Sequence, residues 1–317
     1  MRLFQPLILP LISSSLVWGL AVPAPHPDLD AETRSIVARD GVTTLSSASF
    51  SAITPFAQFA RAAYCSPSGI SGWSCGDACS ALPGFKVSLS GGDGNAIQNY
   101  FVGFWPSQNA IVVGHEGTDP TQFLSDLTDI NFFLVDLDQN LFPGIDSAAQ
   151  GHNGFLAEHA KTASTILGGV KQLLTSTGAT TVITVGHSLG GALAELDALF
   201  LTLNLPSSVH IKSVTFGTPR VGNPEYAAFF DSRVADFERI NNEKDPVPIV
   251  PGRALGFSHV HGEIHIVSPG NAVSCPGDDD ATDSQCTIKT TPNILVSNIL
   301  NHLGPYNGVM IGTIFCT

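Results

Sequence analysis

The apolar positions along the chain follow two different periods. The run Thr181-Val182-Ile183-Thr184-Val185 is β-branched and apolar without alternation, the pattern of a strand buried on both faces at the centre of a parallel sheet. Residues 156–174 carry helical spacing and lead through Gly178 into that strand. Residues 192–203, rich in Ala and Leu, read as a second helix directly after it. Residues 57–64 read as part of an earlier helix that runs into the loop at Cys65. Residues 99–105 and 110–114 read as strands separated by the turn signal Pro106-Ser107-Gln108-Asn109, and 211–216, 237–241 and 263–267 as further strands. Strands alternating with helices predict an α/β fold, with a central, mostly parallel sheet and helices on both faces. No repeat or long linker interrupts the pattern, so residues 48–317 are expected to form a single domain.

The first residues break this pattern. Arg2 precedes an uncharged apolar stretch over 3–20 that ends in small residues at Ala21, which predicts a secretory signal peptide over residues 1–21. Pro25 makes a cut after Ala24 poor and favours one after Ala21. A membrane anchor is the alternative, but Pro6, Pro10 and several serines interrupt the stretch, which is short for a span. Residues 22–47 lack periodicity and contain Arg34 and Arg39. They read as a propeptide trimmed near Arg39-Asp40 or as a flexible tail.

Secretion changes how the six cysteines are read, because thiols pair in an oxidising compartment. Local spacing favours Cys75 with Cys79 and Cys275 with Cys286, which leaves Cys65 for Cys316. Other pairings stay open, and a zinc site is disfavoured because the spacings form no paired Cys-x-x-Cys knuckles. Charge narrows the partners. With 14 Lys and Arg against 27 Asp and Glu, the net charge of -13 repels nucleic acid and anionic surfaces and suits a neutral substrate.

Candidate chemistry centres on Gly186-His187-Ser188-Leu189-Gly190. This Gly-x-Ser-x-Gly string lies between the predicted central strand and the Ala/Leu-rich helix, the passage that forces a serine into a tight, exposed bend beside a helix amino terminus. A serine that merely caps the helix is the plainer reading. A nucleophilic serine needs a base and an orienting carboxylate, which follow in the order Ser, acid, His in such a fold. Asp245 stands just after the strand 237–241 in Asn242-Glu243-Lys244-Asp245-Pro246, whereas Asp231 and Asp236 precede that strand. Among the histidines, His115, His152 and His159 come before Ser188, and His187 is expected to point away along the turn. His259, His261 and His265 lie on or beside a strand whose alternation scatters them. His302, in the C-terminal loop Asn301-His302-Leu303-Gly304-Pro305-Tyr306, is the preferred base.

These residues, together with Ala62-Ala63-Tyr64-Cys65, His152-Asn153-Gly154-Phe155, Phe216-Gly217-Thr218-Pro219-Arg220-Val221-Gly222-Asn223 and Lys244-Asp245-Pro246-Val247-Pro248, make a chain that resembles the fungal class 3 lipases of the α/β-hydrolase superfamily. The resemblance implies an α/β-hydrolase lipase domain over 48–317 with a catalytic Ser188, Asp245, His302 triad. It also implies an oxyanion hole from Thr118 and the backbone N–H of Leu189. The family usually carries Arg where this chain has Glu116. It implies a lid over 122–127, with Phe123, Leu124 and Leu127 sharing one face. Phe132, Phe133, Leu134, Phe142 and Phe155 are acyl-groove candidates, although plain core packing is the stronger reading at each of these five. The expected function is a secreted lipase that cleaves acylglycerol esters through an acyl-enzyme. The alternatives are a feruloyl esterase acting on plant cell-wall aromatic esters and a hydrolase-fold binding protein without catalysis. No cofactor, metal, nucleic-acid partner or transmembrane segment is expected. The expected partners are a lipid–water interface and a small ester, and the expected state is a monomer.

Overall fold

The unalternating run at 181–185 lies in the middle of a nine-stranded sheet. A computed structural model describes residues 41–118, 133–279 and 282–316. The expected signal peptide, residues 22–40 of the expected tail and the expected lid residues Phe123, Leu124 and Leu127 therefore lie outside the described residues. The strands are β1 (Thr43–Thr44), β2 (Lys86–Gly91), β3 (Tyr100–Trp105), β4 (Ala110–His115), β7 (Thr181–His187), β8 (His210–Phe216), β9 (Asp236–Asn242), β10 (Glu263–Ser268) and β11 (Asn271–Ser274). A separate pair, β5 (Leu134–Asp136) and β6 (Gln150–His152), forms a small ribbon. Among the described residues the α-helices are α1 (Ser47–Ser51), α2 (Thr54–Ala62), α3 (Pro67–Ser71), α4 (Gly76–Ser80), α5 (Asn153–Thr177), α6 (Leu189–Asn204), α7 (Pro224–Asp231) and α8 (Thr287–Thr290).

Across the sheet the order is β1-β11-β10-β9-β8-β7-β4-β3-β2. Only the centre is parallel: β4, β7, β8, β9 and β10 run together, and antiparallel strands flank them on both sides. The β3–β4 hairpin explains one flank. Pro106–Gln108 form a 3-10 turn and Asn109 takes a left-handed φ of 47°, which returns the chain at once instead of through a crossover helix. The body also reaches back before the expected boundary at 48, because Thr43 and Thr44 pair with Ser274 and Val273.

Alternation assigns the two faces. Ile111, Val113 and Val182 pack with Phe155, Ile166, Leu196 and Leu199 of α5 and α6. Their neighbours Ala110, Val112, Ile183 and Val185 face the other way, into a second cluster that holds Phe59 of α2 and Phe85. Helix α6 lies over the middle of the sheet, and every residue from Gly190 to Leu201 is buried. Helix α5 starts earlier than its spacing suggests because the Phe155 N–H donates to His152 Nδ1 at 3.3 Å, and it ends where Gly178 takes a left-handed φ of 71°. Disulfides join Cys65 to Cys316, Cys75 to Cys79 and Cys275 to Cys286. Among the described residues no helix is long and apolar enough to cross a membrane.

Candidate active site

The turn between β7 and α6 holds Ser188 at φ 59°, ψ −128°, a conformation that L-residues adopt only when their surroundings impose it. The surroundings here are backbone. A Cβ on Gly186 would fall 1.9 Å from the Gly190 carbonyl oxygen, and one on Gly190 would fall 2.4 Å from that of His115. Both glycines are needed for strand and helix to pass this closely. The Ser188 N–H donates to the Phe216 carbonyl at 2.9 Å, which fixes the turn against the end of β8. The side chain is buried, and its Oγ has no hydrogen-bond partner.

Two further side chains meet beside that turn. Past β9 the chain turns at Glu243, φ 44°, and brings Asp245 inward. Asp245 Oδ1 accepts from the Val247 N–H at 2.8 Å, and Oδ2 accepts from His302 Nδ1–H at 2.8 Å. His302 sits on the 3-10 turn Ile299–Leu303, fully buried, and its other nitrogen, Nε2, has no partner. Gly217 follows directly on Phe216, whose carbonyl binds Ser188. A Cβ there would come within 2.8 Å of both Asp245 Oδ2 and His302 Nδ1. The carboxyl ends of β7, β8 and β9 and the 3-10 turn Ile299–Leu303 therefore bring Ser188, Asp245 and His302 together around Gly217.

The histidine has support that the sequence reading missed. His187 does not point away. Its ring centroid lies 4.3 Å from that of His302, and its Nε2–H donates to the His302 carbonyl at 2.7 Å. Because that acceptor fixes the proton on Nε2, His187 Nδ1 must accept, and it does so from the Tyr64 hydroxyl at 2.7 Å. Burial, then the neighbouring His302, hold the His187 pKa well below its usual value, so the ring is neutral and this single tautomer persists. Tyr306 also donates to the His302 carbonyl, at 3.0 Å. The signal for Tyr64 was its place in the Ala62-Ala63-Tyr64-Cys65 run; nothing in the local pattern pointed to Tyr306.

The loop after β4 closes the other side. A Cβ on Gly117 would lie 2.3 Å from Tyr64 Oη, 2.4 Å from the His187 carbonyl oxygen and 3.0 Å from Ser188 Cβ, so this glycine runs along the Ser188 turn. Thr118 follows it, half-buried, and Leu189 opens α6, whose first N–H groups have no intrahelical acceptor. Glu116 is buried and turned toward β3: its Oε2 accepts from the Asn99 N–H at 3.0 Å, and its own N–H donates to the Asn99 carbonyl at 2.8 Å. Burial raises its pKa to about 7, although the Asn99 bonds pull the other way. A carboxyl whose folded-state pKa is raised favours folding while protonated, and that advantage disappears as pH climbs from its unfolded value to about 7. Glu116→Gln is therefore expected to match the wild type in thermal unfolding at pH 4.5 and to exceed it by roughly 1–3 kcal/mol at pH 8. Equal stability at both pH values would remove this account.

The remaining candidates separate. Phe142 and Phe155 belong to the core, Phe133 is 57% exposed, Leu134 lies in β5, and Phe132 lies outside the described residues. His259 donates to the Pro248 carbonyl, His261 bonds Asp231, and His265 lies between the carbonyls of Gln285 and Glu243, so the three serve different partners. Asp236 binds His210 and Lys212. Glu263, Cys275 and Cys286 come close together, but both sulfurs are committed to a disulfide. On the surface, a groove of about 750 Å³ runs between Ile249–Leu255 and Ile288–Leu295, with Leu295 95% and Leu300 66% exposed at its rim and beyond.

A class 3 lipase family model matches residues 112–255 of the chain. A secreted mono- and diacylglycerol lipase of Malassezia globosa is 33% identical over 193 residues, covering 60% of this chain and 62% of that protein, so the chain spans somewhat under two thirds of this relative's length. A lipase of Rhizopus niveus is 30% identical over 302 residues, 92% of this chain and 74% of that one. The solved structure of lipase II from Rhizopus niveus superposes with a TM-score of 0.75 at 27% identity, covering 87% of this chain and all of that one.

Proposed function

We propose that this chain, which belongs to the class 3 lipase family, is a secreted serine esterase that cleaves acylglycerol esters at a lipid–water interface, with Ser188 as nucleophile, His302 as base and Asp245 as its orienting acid. One observation carries the reading. Ser188 Oγ and His302 Nε2 are both buried without partners, while the opposite ring nitrogen of His302 is bonded to Asp245. Buried polar atoms normally find partners, and two orphans at one place are what a site awaiting a substrate requires.

In the first half-reaction Ser188 Oγ attacks the ester carbonyl carbon and its proton passes to His302 Nε2. The Asp245 carboxylate stabilises the imidazolium through Nδ1–H. The carbonyl oxygen becomes an oxyanion facing Thr118 and the Leu189 N–H at the positive end of α6. As the carbonyl re-forms, the bond to the glycerol oxygen breaks and that oxygen takes the proton from His302. Water then attacks the acyl-enzyme, giving its proton to His302; the fatty acid leaves and the proton returns to Ser188. Neutral His187 beneath the ring adds no competing positive charge. Thr118→Ala is expected to lower kcat about 10²-fold with little change in KM, since the oxyanion forms only after binding. An unchanged kcat would take Thr118 out of the hole.

Labelling with a fluorophosphonate probe tests the nucleophile, and adduct mapped to any residue but Ser188 ends this reading. Rates on mono-, di- and triacylglycerols against methyl ferulate test the substrate class. Leu255, Ile294, Leu295, Val296 and Leu300 are exposed apolar side chains; the first three line the groove, and Leu300 stands two residues before His302. The segment from Thr290 to Leu303 carries no Asp, Glu, Lys or Arg in a chain of net charge -13, so it suits an uncharged lipid surface. Leu295→Asp is expected to reduce turnover of emulsified glyceride about tenfold while leaving hydrolysis of a dissolved short-chain ester intact. Equal losses on both substrates would argue against a surface role.

A further inference from the structure

We infer that Asp197, acting through His115, is a positioning residue for ester cleavage: it fixes the end of β4 to the nucleophile helix so that Thr118 is held at the oxyanion. This inference rests on the proposed function above. Asp197 lies on α6 about two and a half turns beyond Ser188, completely buried among Ala and Leu. Its Oδ2 accepts from His115 Nε2–H at 2.7 Å and its Oδ1 from His159 Nε2–H at 2.9 Å. Burial alone would raise the carboxyl pKa, but the two imidazole bonds outweigh it and hold the group at about 2. A buried carboxylate is thus kept charged inside an otherwise apolar helix, a costly arrangement that hydrophobic residues of similar volume often replace without loss of stability.

What the carboxylate holds suggests why it is there. His115 is the last residue of β4, and Glu116, Gly117 and Thr118 follow it without a break. The first turn of α6 already touches this backbone, since a Cβ on Gly190 would lie 2.4 Å from the His115 carbonyl oxygen and 2.7 Å from that of Glu116. On the other edge Glu116 is tied through both its N–H and its side chain to Asn99. The two residues before Gly117 are therefore held from opposite sides, His115 to the helix that carries Ser188 and Leu189, Glu116 to Asn99 just before β3. Thr118 and Leu189 reach the oxyanion from different segments, so their spacing depends on the strand end and the helix staying in register. Among the described residues, His115–Asp197 is a side-chain bond that joins those two elements. His159 completes the carboxylate from α5 and keeps it from turning.

A misplaced donor weakens only the transition state, so the effect should appear in kcat and not in KM. The test uses the full-length protein and a dissolved ester, p-nitrophenyl butyrate, with active enzyme counted by fluorophosphonate labelling. His115→Phe keeps the ring and removes the donor; His115→Gln restores an N–H. Expected are a ten- to hundredfold fall in kcat per labelled site for His115→Phe with KM within about twofold, and recovery to within about threefold for His115→Gln. Asp197→Leu, which removes both acceptors, should resemble His115→Phe, and the double variant should be no worse than either. The inference is overturned if kcat per labelled site stays within twofold in His115→Phe, or if Gln and Phe behave alike, since the network would then be structural only. Labelling of the wild type away from Ser188 would overturn the proposed function instead, so the two failures are distinguishable.

Discussion

Replacing Ser188 by alanine is expected to reduce hydrolysis of both emulsified glyceride and dissolved ester by about 10⁴-fold or more, because removal of a triad nucleophile leaves only binding and the oxyanion hole. The same change should not lower the melting temperature. Ser188 Oγ is buried with no partner, so the native state already bears its desolvation, about 1–3 kcal/mol for such a group. Activity lost without stability lost distinguishes a reacting group from a packing one. Asp245→Asn is expected to fall in the same class, about 10⁴-fold in kcat, because the amide offers His302 Nδ1 the wrong hydrogen-bonding partner. Measuring kcat, KM and thermal unfolding on each variant checks all of this. A Ser188→Ala enzyme that retains more than a few per cent of wild-type turnover would remove Ser188 from the chemistry.

The second large effect concerns stability. Cys65 and Cys316 are 251 positions apart, whereas Cys75 and Cys79 are 4 apart. Chain-entropy reasoning assigns about 5 kcal/mol to closing the long loop and about 2 kcal/mol to the short one. Cys65→Ser with Cys316→Ser is therefore expected to lower the melting temperature by roughly 10 °C or more, well beyond the loss from Cys75→Ser with Cys79→Ser. The long bridge also confines the segment that carries His302, which enters after β11 and is tied at its far end by Cys316 and by the Arg61 Nε–H donating to the Phe315 carbonyl at 2.6 Å. Activity of the Cys65/Cys316 variant should accordingly decline at temperatures below its unfolding transition. Equal destabilisation from the two pairs would show that loop closure is not what these bridges contribute.

Much of this molecule was legible locally. The unalternating strand at 181–185, the glycines on either side of Ser188 and the Ala/Leu run after it all encode structure over a few residues. Steric exclusion and side-chain period act at that range, so β7, the serine turn and α6 could be read directly. As candidates for the proposed site, Asp245 stood out by its place after a strand and His302 by chain order. Boundaries were less so. Helix α5 begins with a cap from His152, and the sheet gains antiparallel flanks from a turn at Asn109 and from the pairing of Thr43 and Thr44 with distant residues. Periodicity does not register such partners.

What the sequence by itself determined, then, is the order of the main elements and a set of candidate residues for the site, because both depend on short-range sterics and on residue type. Tertiary structure alone decided which groups support them. His187 was expected to point away, yet it lies under His302 because the Tyr64 hydroxyl and the His302 carbonyl, from opposite ends of the chain, orient its two nitrogens. Asp197 sat unremarked in an Ala/Leu helix until His115 and His159 converged on it. Hydrogen bonds of this kind depend on distance in space, and only the folded sheet and helices bring their partners within reach.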